Sequence, residues 1–295
     1  MKNLANEIKL SGFEDVLKAC NEGGFKIISA IDGGAGWGGT SQSIADELDL
    51  NGIVYAFEPF PGNHSFFNKY PSQIVLIKKA LSNKNKNLKL HIPSTINENS
   101  KWANGERTGY SSVGYISEGL VATLKRFIKS ILKKGKYINV QAVRADDEIG
   151  ASKKIDFIKL DLQGGELNAL KGMKKIIQNS KILWVEFTGD MRVYEYLINN
   201  GYSLFDAEYL FNGELCENSK KYFEFSKFSE LSTGEKVWWG YRKKPYDNIS
   251  KEFKYYQNEL GMIQTDLLCI NNKFISEFDK ILPVLDKLIT VNKIA

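Results

Sequence analysis

An apolar run from Lys26 to Ile31 ends abruptly in Asp32-Gly33-Gly34-Ala35-Gly36-Trp37-Gly38-Gly39-Thr40, and a segment with Ile44, Ala45 and Leu48 at helical spacing follows at once. A strand that enters a helix through five glycines must turn sharply and bring its backbone close to whatever lies at the turn. This marks the first of a series of βα units. Candidate strands run from Lys26 to Ile31, Ile53 to Phe57, Ile74 to Ala80, Ile155 to Leu160, Ile182 to Phe187, Ser203 to Asp206 and Asp266 to Ile270. Apolar runs that alternate with helix-period segments stack into a parallel sheet with helices on both faces. Between the fourth and fifth, Glu166 to Met173 continues at helical spacing through Ile176 and Ile177, so that helix packs its apolar face on the sheet.

At 295 residues the chain as a whole fits one large domain, 1–295. Five Trp, fourteen Tyr and seventeen Phe against six Pro describe a packed core rather than linkers. Residues 1–25 read as a helical lead-in, 97–137 as a polar and basic insertion able to act as a lid, 212–262 as an insertion before the last strand, and 272–295 as a C-terminal helical extension. A short hairpin is expected around Leu88 to Ile92. The net charge of +5 is the small remainder of 40 basic and 35 acidic residues and gives no reason to expect nucleic acid. Cys20, Cys216 and Cys269 are far apart without zinc spacing, which suggests a reduced, cytoplasmic setting. The N-terminus lacks the apolar core of a signal peptide, and no segment approaches the ~18 apolar residues of a membrane span.

Gly34, Gly36 and Gly39 match G-x-G-x-x-G, which on its own leaves an NAD-dependent oxidoreductase open as an alternative. Asp32 weighs against that alternative. A carboxylate entering the loop opposes a pyrophosphate, whereas it suits the ammonium of a methionine moiety such as S-adenosylmethionine carries, and no catalytic His or Tyr-x-x-x-Lys pair is evident. Glu58 ends the next strand, where a carboxylate can accept both hydroxyls of a ribose from either cofactor. The fourth strand ends in Asp161-Leu162-Gln163-Gly164-Gly165-Glu166, at the edge where open parallel sheets bind ligands.

Taken in order, Asp32 with Gly34 and Gly36, Glu58-Pro59, and Asp161, Gly164 and Glu166 followed by Leu170-Lys171-Gly172 resemble the FkbM-type methyltransferases. The resemblance covers about residues 26 to 210, and Thr265 to Asn271 looks like the last strand of that family. It departs at Val143-Arg144-Ala145-Asp146-Asp147, where the family has a Thr-Leu-Asp run. It implies a doubly wound, mostly parallel seven-stranded sheet of the Rossmann-like class I methyltransferase type, with insertions at its carboxyl edge. It also implies S-adenosylmethionine as cofactor, held by Asp32, Gly33, Gly34, Ala35, Gly36, Glu58, Pro59, Asp161 and Gln163, and O-methylation of a glycan or other polar, small-molecule acceptor. A member that had lost catalysis would keep the cofactor motifs alone.

Proton removal from an acceptor needs a base at the carboxyl ends of the fourth and fifth strands, which nominates Asp161 and Glu186 as catalytic; Asp161 can equally hydrogen-bond the cofactor. Asp161, Glu186 and Asp190 are also candidates to hold a divalent cation such as Mg2+, or to cap the next helix and pair with Lys159 or Arg192. His64 and His91 read as loop or surface residues rather than bases. Trp37 is placed to stack on an acceptor, and Trp102, Arg107 and Tyr110 are the expected substrate residues, two rings for a sugar face and a guanidinium for an anionic group. Leu120, Leu124, Phe127, Ile128 and Ile131 make an amphipathic helix whose other face is lysine-rich, suited either to packing on the domain or to peripheral membrane contact through 120–136.

Overall fold

The computed structural model describes residues 12–48, 51–93, 135–187, 190–212, 224–230, 236–241, 264–281 and 283–284. Twelve strands lie in these segments. They are β1 (Ser29–Gly33), β2 (Ile53–Phe57), β3 (Ile74–Ile77), β4 (Ala80–Leu81), β5 (Lys86–Pro93), β6 (Gly135–Val143), β7 (Phe157–Leu160), β8 (Ile182–Phe187), β9 (Tyr202–Asn212), β10 (Glu224–Glu230), β11 (Lys236–Tyr241) and β12 (Gln264–Asn271). Helices are α1 (Phe13–Glu22), α2 (Gly39–Glu47), α3 (Glu166–Gly172), α4 (Lys174–Ile177), α5 (Met191–Asn199) and α6 (Ile275–Phe278).

The main sheet runs β10-β11-β9-β12-β8-β7-β1-β2-β3. β1, β2, β3, β7 and β8 are mutually parallel, and β12 inserts antiparallel between β8 and β9. From β1 the chain winds outward to β2 and β3, then returns to β1's other side with β7 and continues to β8. β1 and β7 therefore flank the switch point of a doubly wound sheet, where the loops leaving their carboxyl ends separate and open a crevice. The seven strands from β3 to β9 have the order and direction of a class I methyltransferase sheet. β10 and β11 extend that sheet antiparallel beyond β9, within the segment read from sequence as an insertion. A second small sheet, β4-β6-β5, pairs β5 with β6 along their full length, so the expected hairpin strand finds its partner only after a long excursion of the chain.

Strands buried on both faces read as continuous apolar runs, and here successive residues go to opposite layers. Ala30, Phe157, Ile182 and Trp184 face α1 and α2 with Val16, Leu17, Cys20 and Ile44. Ile31, Ile158, Leu183 and Val185 face the α3, α4 and α5 layer with Leu170, Met173, Ile177 and Leu197. In α1, Phe13, Val16, Leu17 and Cys20 recur at helical spacing and are all buried, and the Phe13 ring packs edge-on to Trp184 at 6.2 Å. Asp190 caps α5, accepting from the Arg192 backbone N–H. The helix expected from Glu166 through Ile177 divides at Met173 into α3 and α4. No helix among the described residues is long and apolar enough to cross a membrane.

Candidate active site

The first half of the site is made by backbone. β1 carries Asp32 and Gly33 to its end, and the next residues turn back so that the Gly34 and Ala35 N–H groups both donate to the Phe57 carbonyl at 3.1 Å. Gly34 has φ of 82°, and a Cβ there would lie 2.0 Å from the Asp161 carbonyl oxygen, so only glycine lets the two loops approach this closely. Glu58 accepts from the Gly36 N–H and from the Phe60 N–H, each at 2.7 Å, which locks the glycine loop to the end of β2. Burial pushes the Glu58 carboxyl up to about 7, against the pull of those two N–H donors. Pro59 follows Glu58 at this corner. His64 in the following turn contacts the Glu58 carbonyl through Nε2 at 2.9 Å. Burial lowers the pKa of its ring, so the histidine belongs to the support of this loop.

Asp32 is fully buried. Its Oδ2 accepts from the Ser41 hydroxyl at 2.7 Å, while Oδ1 has no hydrogen-bond partner. Burial raises its pKa, opposed by the nearby Lys159 ammonium. Trp37 projects from the loop, exposed, with its ring over Gly39 and the Lys69 Nζ 5.7 Å from its centroid.

The second half is made by side chains. Asp161 leaves β7 half-buried, Gln163 and Gly164 both take left-handed φ (51° and 97°), and Glu166 at the head of α3 accepts from the Leu162 and Gly164 N–H groups at 2.8 and 3.0 Å. Burial pushes Glu166 up to about 7 despite these donors. The Gln163 amide donates to Asp161 Oδ1 at 2.8 Å and to both oxygens of Glu186 at 3.0 and 3.3 Å. Lys159 Nζ lies 3.2 Å from Asp161 Oδ2. Burial would raise the Asp161 pKa, but the Lys159 charge and the Gln163 donor outweigh it and hold the carboxyl below its ordinary range. Glu186, buried at the end of β8, moves the other way, raised first by burial and then by the charges of Asp161 and Glu166. Lys159 itself is held charged, because Asp161, Asp32 and Asp266 more than offset its burial. Asp266, paired with Glu186 across β12 and β8, is pushed by burial up to about 6.

Asp161, Gln163 and Glu186 are therefore brought together, and they face the loop of Asp32, Gly34 and Gly36 across the Gly34–Asp161 contact. Asp190 is not part of the group. It turns to the N-terminus of its own helix and makes a fork with Arg192 at 2.9 and 2.8 Å. This corrects the expectation of a metal centre on Asp161, Glu186 and Asp190. Among the described residues no group of three His, Cys, Asp or Glu side chains is placed to hold an ion, since one acid caps α5 and the other two satisfy each other through Gln163. Trp102, Arg107, Tyr110 and the basic stretch 120–136 lie outside the described residues. Sequence reasoning missed Ser41 and Asp266 as partners and gave Lys159 only as a possible ion pair. The available signal for Lys159 was a lysine in the middle of the apolar run Phe157-Ile158-Lys159-Leu160.

The sequence matches the Methyltransferase FkbM domain over residues 27–204, and the chain belongs to that family of S-adenosylmethionine-dependent methyltransferases. No curated relative matches the sequence. Similar solved structures include the precorrin-6y C5,15-methyltransferase of Geobacter metallireducens (13% identity, 74% of this chain and 82% of that one, TM-score 0.32). Another is an O-methyltransferase of Bacillus cereus in complex with SAH (10% identity, 81% and 86%, TM-score 0.33).

Proposed function

We propose that this protein methylates a hydroxyl oxygen of a glycan or another polar metabolite, with Asp161 taking the hydroxyl proton. The observation that carries this reading is the asymmetry of the acid pair at the ends of β7 and β8. Asp161 is the half-exposed member with the Lys159 ammonium 3.2 Å from its carboxyl, which favours its charged form, while Glu186 is buried beside Asp161 and Glu166, which favours its protonated form. A base must be both charged and reachable, and Asp161 meets both conditions.

The residues of the glycine loop fit S-adenosylmethionine. Asp32 Oδ1 is a buried acceptor left over for an N–H or ammonium donor. Glu58 takes the Gly36 and Phe60 N–H groups, one on each oxygen, with the Asn63 side chain as a further donor, and a ribose hydroxyl added to these would return its raised pKa toward the charged form. Gly33, Gly34, Ala35, Gly36 and Pro59 form the backbone floor between these two acids. When bound, the cofactor supplies an electrophilic methyl group on a positive sulfonium. Asp161 then has two tasks, to orient the acceptor hydroxyl by hydrogen bonding and to accept its proton as the oxygen becomes bonded to carbon. Lys159 and Gln163 keep the Asp161 carboxylate in place for both.

The test is to incubate the protein and methyl-labelled cofactor with extracts of its source cells and follow the label. Label on the hydroxyl oxygen of a saccharide or other polar metabolite, lost with Asp161→Asn, is the expected result. Label on nitrogen or carbon, or transfer that survives Asp161→Asn at full rate, contradicts it.

A further inference from the structure

Among the described residues Gln163 is the only one other than glycine with positive φ. The left-handed region is unfavourable for a residue that carries a Cβ, and it is normally filled by glycine, as it is at the next residue, Gly164. A strained conformation that persists at a site edge points to what the side chain does there. At this position the left-handed turn sends the Gln163 amide back across the ends of β7 and β8, where one –NH2 reaches both Asp161 and Glu186.

One nitrogen thus stands within 3.3 Å of oxygens of both carboxyl groups, which brings the two acids close together, and two carboxylates held this close repel until one of them takes a proton. The surrounding charges decide where the proton sits. Lys159 from β7 lies against Asp161, and Asp32 from β1 is balanced by the same ammonium. Glu186 meets Glu166 from α3 and Asp266 from β12, both acidic, in a buried setting.

We propose that Gln163 is a positioning residue that clamps Asp161 and Glu186 into one proton-sharing pair, with the charge on Asp161 and the proton on Glu186. This deepens the reading of Asp161 as proton acceptor and rests on it for its catalytic meaning, but the pair itself can be seen without any turnover. Gln163 acts through Asp161, so it should influence the protonation of Asp161 whatever it does to the affinity for cofactor.

The experiment is a carboxyl 13C NMR titration of protein labelled at Asp and Glu, with Asp161 and Glu186 assigned from Asp161→Asn and Glu186→Gln. In the unaltered protein Glu186 should remain protonated at pH 7 while Asp161 is ionised. Gln163→Gly removes the amide and relieves the left-handed backbone, so its melting temperature should be unchanged or higher, while the Asp161 midpoint moves up by about half to one pH unit. Gln163→Asn, which tolerates left-handed φ but is one methylene shorter, should show the same displacement. S-adenosylhomocysteine affinity, measured by calorimetry on the same variants, separates this role from the cofactor contact that the family resemblance implies for Gln163, since the clamp requires the Asp161 displacement whether or not affinity changes. An ionised Glu186 at pH 7, an Asp161 midpoint that ignores both Gln163 variants, or a loss of cofactor affinity with no change in Asp161 would each overturn the proposal. If the pair titrates as expected but Asp161→Asn still transfers methyl groups, the clamp stands and the assignment of the base falls.

Discussion

The loop after β1 and the turn after β7 meet in the same crevice, yet they are built in opposite ways. The first is shaped mainly by backbone: Glu58 is held by two N–H groups, Gly34 is pressed against a carbonyl with no room for a methyl group, and only Asp32 leans on a side chain, the Ser41 hydroxyl. The second surrounds its exposed acid with side chains, Lys159, Gln163 and Glu186 about Asp161, and leaves only Glu166 behind it to backbone N–H groups. A backbone cradle has one geometry and suits holding a ligand. A cluster of titratable groups has several charge states and suits moving a proton. The two regions should therefore fail differently when altered.

The largest effect is expected in the second region. Asp161→Asn should lower kcat by about 10²–10⁴-fold with little change in cofactor affinity, the range of a lost general base. Equal losses in kcat and in cofactor affinity would erase the distinction between the regions. Next comes Gly34→Ala in the first region. A methyl group 2.0 Å from the Asp161 carbonyl must move one loop, at a cost of several kcal/mol in stability or in cofactor binding, seen in denaturant titration and calorimetry. A variant as stable as the parent with normal binding would show that the loops do not depend on this contact. Glu58→Ala should weaken cofactor binding by about 1.5–3 kcal/mol, the value of a lost charged hydrogen bond, while leaving the titration of Asp161 in place.

The smallest effect concerns pH. Glu58 and Glu166 are each raised by burial to about 7 from an ordinary 4.5, so the folded chain binds more protons than the unfolded one between these values. Stability without cofactor should then fall as pH rises from about 5 to 7.5, and Glu58→Gln should flatten part of that slope. Thermal melts across this range check the sign. A rising stability in that window would mean that the two acids are better solvated than their burial implies.

The first region was more legible in the sequence than the second, for the same structural reason. Five glycines between a strand and a helix announce a backbone cradle, and β2 and β8 fall on the expected residues because β2 is apolar throughout and β8 is apolar except for Glu186. β1 was expected two to three residues early, since its paired length runs on through Asp32 and Gly33, a polar and a small residue held by neighbours on both sides. β6, β10 and β11 gave no clear signal. Their sequences mix charged and aromatic residues, and β6 pairs with a strand far away in the chain. In the second region Asp161 and Glu186 could be nominated from their places at strand ends. That a glutamine adopts a glycine-like conformation to join them could not, because nothing in its type signals positive φ.

We propose that the glycine loop with Asp32 and Glu58 takes S-adenosylmethionine and not a dinucleotide. Isothermal calorimetry with S-adenosylhomocysteine and with NAD tests it directly. Saturable binding of S-adenosylhomocysteine, weakened by Glu58→Ala, with no heat from NAD is the predicted result; binding of NAD without binding of S-adenosylhomocysteine would contradict it.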